Sequence, residues 1–284
     1  MLGFGMSVTS LGSPRSATSS DGSVVLDFTT GVLPQKVSLT RASSATVVNN
    51  TGARVTVGAD TARFDHDPET GALLGLLIEG STTNFLPDAD FSTYQRGSNT
   101  VVQPMPALTG PDGQTGSVYR LMHGAQSSTY VKLDQFSGTD AKTISLWVKA
   151  MGAEADFQLY ADSNAGVSPV LTAPQTWTRV SHTASRAGQW GINNGGDTYG
   201  SDILIALPQI EFGLLPTSYV PTAGQSAARS ADLVQVNGIN GVFDVTLRYG
   251  SGIEETWDAQ SIQTGWWPTL SEPHLARITL RPVG

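Results

Sequence analysis

Between Arg41 and Asn84 no apolar run lasts more than a few residues before a turn-former interrupts it. Val47-Val48, Val55 to Val57 and Leu73 to Ile78 are separated by Asn49-Asn50-Thr51-Gly52 and by Asp67-Pro68-Glu69-Thr70-Gly71. Gly and Asn tolerate positive φ and Pro presets its own φ, so these clusters close tight turns between short strands. An amphipathic helix needs apolar residues at i, i+3, i+4 and i+7, and no such stripe lasts longer than about two turns anywhere in the sequence. The expected fold class is all-β.

Composition supports this class and narrows the function. With 31 glycines and 15 prolines in 284 residues, long helices are disfavoured, while 39% apolar residues suffice for ordinary cores. The length allows more than one compact domain or a single large β domain. The net charge is -8, and the four lysines (Lys36, Lys132, Lys142, Lys149) form no basic run that could neutralise a row of phosphates. Nucleic acid is therefore not an expected partner, and the mild acidity is read as serving solubility. The absence of cysteine excludes disulfides and thiolate metal sites. The opening MLGFGMSVTSLGSPRS lacks the charged and apolar regions of a secretory signal. No run approaches the roughly 18 apolar residues of a membrane span, so membrane insertion is not expected.

The chain divides by composition into four parts. Residues 1–25, rich in Ser, Gly and Thr, read as a flexible N-terminal arm, either docked on a partner or free. Residues 26–84 form the turn-cut β block already described. Residues 85–225 carry the clearest strands: Thr143 to Lys149 alternates polar and apolar, as do Phe157 to Tyr160, Trp177 to Ser181 and Ile203 to Leu207. Strands at this spacing suggest a sandwich. In residues 226–284, Arg229 to Val234 reads as a linker, followed by strands Phe243 to Tyr249 and Ile253 to Trp257 around Gly250-Ser251-Gly252 and by Leu275 to Leu280. A hairpin this small is marginal alone, so the block is expected to pack on the sandwich or on another copy.

Chemical sites are sparse. The four histidines (His66, His123, His182, His274) lie far apart, and no Gly-x-Ser-x-Gly elbow occurs. Glu254 and Glu255 are adjacent, so a strand points them to opposite faces rather than pairing them for glycoside cleavage. No catalytic residue is assigned and no enzymatic activity is expected. The acidic FDHDPETG run does not match an EF-hand loop and reads as a turn. The best binding candidate is the stretch from Arg186 to Tyr199, where Trp190, Asn193, Asn194 and Tyr199 stand among glycines. Sugar rings stack on Trp and Tyr while amides bond their hydroxyls. The competing reading places Trp190 in the sandwich core and treats Asn-Asn-Gly-Gly as a hairpin turn. Trp147 and Trp177 are assigned to the core, and Trp266-Trp267-Pro268 to the core of the last block or to an intersubunit contact.

Two resemblances add to this reading. The segment from Arg41 that closes in GLLIEGSTTN resembles the N-terminal region of bacteriophage fibre and spike proteins. Residues 85–225 resemble the jelly-roll, concanavalin-like modules of phage fibres and carbohydrate-binding modules, through NFLPDADFSTYQ (84–95), ISLWVKA (144–150), WTRVSHTAS (177–185) and LIALPQIEFGLLPTSYVPTAG (204–224). The resemblance implies a structural virion protein, assembled in the bacterial cytoplasm of a phage or gene-transfer-particle host. In it a jelly roll is flanked by an N-terminal attachment region and a small C-terminal β domain. The implied partners are portal, capsid, baseplate or tail proteins through the N-terminal region, further copies in a homotrimer, and bacterial surface polysaccharide. Alternatives within the same resemblance are a head fibre or decoration protein without receptor role, and a polysaccharide-degrading tailspike. Modules of this kind often hold a structural Ca²⁺, for which Asp88, Asp90 and Glu211 are the implied ligands, and no other cofactor is implied.

Overall fold

The computed structural model describes residues 17, 18, 21–124, 129–162, 166–194 and 200–284. Of the expected N-terminal arm, residues 1–16, 19 and 20 lie outside this set. The chain is all-β, with 51% strand. One 3-10 turn, Phe91–Thr93, accompanies the strands, and no α-helix occurs among the described residues. The described strands fall into two units, a base and a sandwich.

The base is built from both ends of the chain, so the expected division into separate blocks at 26–84 and 226–284 is corrected. His274–Pro282 pairs with Gly241–Tyr249 on one side and with Val24–Asp27 and Leu73–Leu77 on the other. Val37–Thr40 pairs with Leu233–Val236, and Thr82–Asn84 with Ala227–Arg229. Strands from the two ends thus lie side by side in the same sheets. Together they close one core in which Leu26, Phe28, Leu76, Val245, Leu247, Ile278 and Leu280 are all 0% exposed. Val24 belongs to that core, so the ordered base begins before residue 26. The expected strand pairs on either side of Gly52 and of Gly250-Ser251-Gly252 form as Ala45–Val48 with Arg54–Val57 and Gly241–Tyr249 with Glu254–Ile262.

The sandwich is inserted between Asn84 and Ala227. One sheet runs Thr100–Pro104, Val118–His123, Ser201–Phe212, Lys142–Ala150, Thr178–Ala184. The facing sheet has Gly166–Val167, Ala155–Ala161, Gly188–Asn193, Tyr130–Phe136 and Gln95–Arg96 in order, with Leu171–Ala173 added beside Ala155–Ala161. The long strands from Val118–His123 onward alternate between the two sheets, which is jelly-roll connectivity. Ile144, Leu146 and Val148 alternate into the shared core with Phe157, Leu159, Ile203 and Ile205.

One irregularity decides what the first sheet presents outward. Leu207 has φ of 53°, and the pairing with Lys142–Ala150 slips between Ser145 and Trp147. Pro208 follows, and because proline lacks an amide donor it sits in sheets at such a bulge. The extra residue reverses the alternation. Ile203 and Ile205 face the core before the bulge, whereas Ile210 does so after it. Gln209 and Glu211 are thereby turned out of the sandwich, towards the base.

There they join a buried polar junction. Arg41 donates to Asp232 at 2.8 Å, and Arg63 pairs with Glu79 at 2.7 Å and also with Asp232. Arg229 stands 3.4 Å from Glu79. Ser218 of the sandwich donates to both Glu79 oxygens at 2.7 Å. Glu211 accepts from Gln209, from the backbone and hydroxyl of Thr217, and from Thr82 of the base. Burial opposes ionisation of Glu79, but Arg63, Arg229 and the Ser218 bonds outweigh it and hold its carboxyl below the usual carboxylate range. Arg229 to Val234, expected to be a linker, is thus corrected: Arg229 and Asp232 are anchors of this cluster. A charge pair with 0% side-chain exposure on both partners loses far more when one partner is removed than an exposed pair does. Asp232→Ala should lower the unfolding free energy in urea by about 3–5 kcal/mol. Asp202→Ala, which breaks the exposed pair with Arg120, should change it by less than about 1 kcal/mol. Equal losses would mean the cluster has no special hold on the fold.

Candidate functional site

The stretch expected to be a binding loop is partly a strand, Gly188–Asn193. Alternation turns Trp190 and Ile192 into the sandwich core. Trp190 is 0% exposed, meets Phe136 edge-to-face at 6.2 Å, and lies 5.9 Å from the Lys142 ammonium. A ring so enclosed offers no face to a sugar, which corrects its assignment as a glycan contact in favour of the core reading. Asn194 is also buried, with its amide donating to the Gly124 carbonyl at 3.1 Å. Tyr199 lies outside the described residues. Asn193 alone of the four is placed by strand parity on the outward face of this sheet.

The register identifies its neighbours there. Asn193 lies opposite Tyr130 on one side and Gln158 on the other. Two residues along, Gly191 lies opposite Lys132 and Tyr160. A side chain at Gly191 would stand 1.9 Å from the Val131 carbonyl and 3.0 Å from the Tyr160 ring, so only glycine lets the phenol lie across the sheet. Burial, with Tyr130 nearby, pushes the Tyr160 phenol well above its usual range, so it remains a neutral donor. Gln158 donates to the Ser168 carbonyl at 2.6 Å, which fixes its amide. Lys132 donates to Gln135 at 2.8 Å. The face therefore combines the Tyr130 phenol, two amides and one cation on adjacent strands, while Tyr160, 3% exposed, is buried against the sheet. Tyr130, Gln158 and Tyr160 escape a reading of the sequence alone because their juxtaposition depends on register across three strands.

The implied metal ligands are not assembled into one site. Glu211 is 0% exposed and accepts four hydrogen bonds from protein donors, so its oxygens are committed to the junction. Asp88 accepts the Asp90 amide at 2.9 Å, and Asp90 caps the 3-10 turn through the Ser92 amide at 2.8 Å. Among the described residues, no three His, Cys, Asp or Glu side chains gather where a metal ion could be held. The Asp67 carboxylate accepts from the amides of Glu69 and Thr70 and from the Thr70 hydroxyl, as the turn reading requires.

Two histidines make side-chain pairs. His274 meets Asp65 at 2.7 Å, and His123 meets the Ser201 hydroxyl at 3.2 Å. The second contact joins a hydroxyl to an imidazole, yet among the described residues the far ring nitrogen of His123 meets no hydrogen-bond partner, and so no carboxylate. Both side chains are buried, and they hold adjacent strands together.

No protein-family model and no curated protein matches the sequence. Among solved structures the chain is similar to the CBM22-1 xylan-binding domain of Paenibacillus barcinonensis Xyn10C, with 14% identity and a TM-score of 0.34 over 47% of this chain and 94% of that domain. It is also similar to the C-terminal CBM6 of the laminarinase LamC from Zobellia galactanivorans, at 14% identity and TM-score 0.28 over 45% of this chain and 99% of that module. A third is the carbohydrate-binding module CBM6cm-2 of Cellvibrio mixtus lichenase 5A in complex with cellotriose, at 17% identity and TM-score 0.28, covering 49% of this chain and 99% of that one.

The buried His123 makes a pH prediction. Burial lowers its pKa from 6.5 to about 4. The unfolded chain takes up a proton at the ordinary value and the folded chain does not, so stability is lost as pH falls through this window. The loss attributable to His123 is on the order of 3 kcal/mol between its two pKa values. Urea unfolding of wild type and His123→Gln at pH 7 and pH 4.5 measures it. The variant should show the smaller drop, and an equal drop would rule His123 out as the cause.

Proposed function

We propose that this chain is a glycan-binding structural subunit of a bacteriophage or gene-transfer particle, a fibre or spike whose sandwich engages bacterial surface polysaccharide. The observation that carries the reading is the opposite fate of the two sandwich faces. The outer face of the sheet holding Ser201–Phe212 is occupied by the base through Gln209 and Glu211. The facing sheet turns Tyr130, Asn193, Gln158 and Lys132 away from the base. Such a face suits a polysaccharide: the Tyr130 ring covers the apolar C–H side of a sugar, while the amides and the Lys132 ammonium bond its hydroxyls at the ring edge. Sugar binding of this kind needs a rigid platform, and side chains on a sheet whose other face is a closed core supply one.

On this reading the base is the mounting element that contacts other virion proteins, and the subunit works as a homotrimer. Three copies would multiply a weak single-site affinity by raising the effective concentration of the second and third sites. No catalytic group is needed for this role.

The test is binding of the purified full chain to an array of bacterial polysaccharides, alongside a mass measurement in solution. Wild type should bind at least one surface glycan, and Tyr130→Ala should weaken that binding about tenfold, the equivalent of about 1.4 kcal/mol for one lost ring contact. Binding to no glycan would overturn the receptor role, and a monomeric mass in solution would overturn the trimer.

A further inference from the structure

We propose a second sugar site in the cleft between base and sandwich, one that selects neutral glycans. The proposal takes its ligand class from the reading of the chain as a carbohydrate binder and its place from geometry that the outer sheet face does not share.

Trp147 and Trp177, expected in the sandwich core, are outside it. In the strand Lys142–Ala150 the core positions are Ile144, Leu146 and Val148, so Trp147 points to the opposite side. Both tryptophans are partly exposed and pack on Ala206, Leu207 and Tyr219, the surface created by the bulge at Leu207. The Trp177 indole donates to the Thr109 carbonyl at 3.3 Å, which fixes the ring plane. The two rings border an open cleft of about 470 Å³, within the roughly 300–1,000 Å³ usual for small-molecule sites.

The other wall comes from the base. The turns at Thr51-Gly52-Ala53 and Pro68-Glu69 face the tryptophans across the cleft. Gly52, at φ of 76°, lets them close on each other, since a Cβ there would lie 2.4 Å from the Pro68 carbonyl. Arg54 of the base pairs with Asp112 of the sandwich at 3.2 Å and stacks 4.6 Å over the Tyr219 ring. The walls are thus held in register before any ligand arrives. Thr176 of the sandwich reaches Glu69 of the base at 3.4 Å across the opening.

The chemistry of the lining selects the ligand. Two indoles supply stacking area for the C–H faces of sugar rings. The hydroxyls of Thr51 and Thr176 and the Glu69 carboxylate supply hydrogen bonds at the rim. Glu69 is the one charged side chain lining the cleft among the described residues, and it is an anion. A carboxylate accepts from sugar hydroxyls but repels uronates, sulfates and sialic acids. The outer sheet face, with Lys132, carries no such bias. Because both units contribute walls, a sugar bound here also bridges base and sandwich.

The experiment uses the full chain on an array of neutral and acidic polysaccharides, with wild type, Tyr130→Ala, Trp177→Ala and Glu69→Gln compared. Trp177→Ala should weaken binding to neutral glycans at least tenfold and Glu69→Gln several-fold, while binding that depends on Tyr130 persists. Glu69 lies on an exposed turn, so its variant keeps the test valid if Trp177→Ala fails to fold. Neutral-glycan binding unchanged in Glu69→Gln and in folded Trp177→Ala overturns the cleft site, even where Tyr130→Ala abolishes binding and so upholds the outer face. Wild-type binding confined to acidic glycans overturns the neutral selectivity, and no binding at all overturns the carbohydrate reading itself.

Discussion

The structure depends on a group of charges removed from water. Arg41, Arg63 and Arg229 converge on Asp232 and Glu79 at the base, where the sandwich enters and leaves it. Arg41 and Asp232 are separated by 191 positions in the chain. Buried ions of this kind are costly to desolvate, and the arrangement survives only because each carboxylate meets several donors. Asp232 accepts from Arg41, Arg63 and the Glu79 amide, and Glu79 accepts from Arg63 and Ser218. Hydrophobic contact alone would allow the ends of the chain to slide over each other. Directional bonds between charged groups add to the backbone ladders that join strands sequence places far apart.

The same junction sets the orientation of the sandwich. Gln209 and Glu211 reach it only because the bulge at Leu207 and Pro208 reverses the alternation of their strand. A regular strand there would turn both polar groups into an apolar core and Ile210 towards the charges. The bulge also raises Leu207 to meet Trp147 and Trp177. Docking face and tryptophan cleft therefore follow from one irregular pair of residues.

Much of the fold was legible in the sequence. The turn clusters at Asn49 to Gly52 and Asp67 to Gly71, the alternation of Thr143 to Lys149, and the hairpin around Gly250-Ser251-Gly252 all produce the expected strands, because turn chemistry and period-two patterning are local. The motif residues that carried the likeness to fibre proteins turn out to be junction residues: Glu79 and Thr82 from GLLIEGSTTN, and Gln209, Glu211, Thr217 and Ser218 from the closing segment. Their spacing was visible, but their common purpose was not, since hydrogen bonds across 129 positions leave no local pattern. The misassigned tryptophans have the same origin. Trp190 stood among glycines and polar residues, yet strand parity buries it. Trp147 stood in an apolar strand, yet parity and the bulge leave it only partly buried.

Local pattern along the chain accounts for its all-β class, its turns and most of its strands, because these depend on neighbours a few residues apart. Long-range packing is what joins the two ends into one base, makes Arg229 to Val234 an anchor instead of a linker, and settles which aromatic rings meet solvent. Those outcomes depend on pairing between distant segments and on which face of a sheet is covered. A strand's sequence states that it has two faces, and the rest of the molecule decides which one is left open.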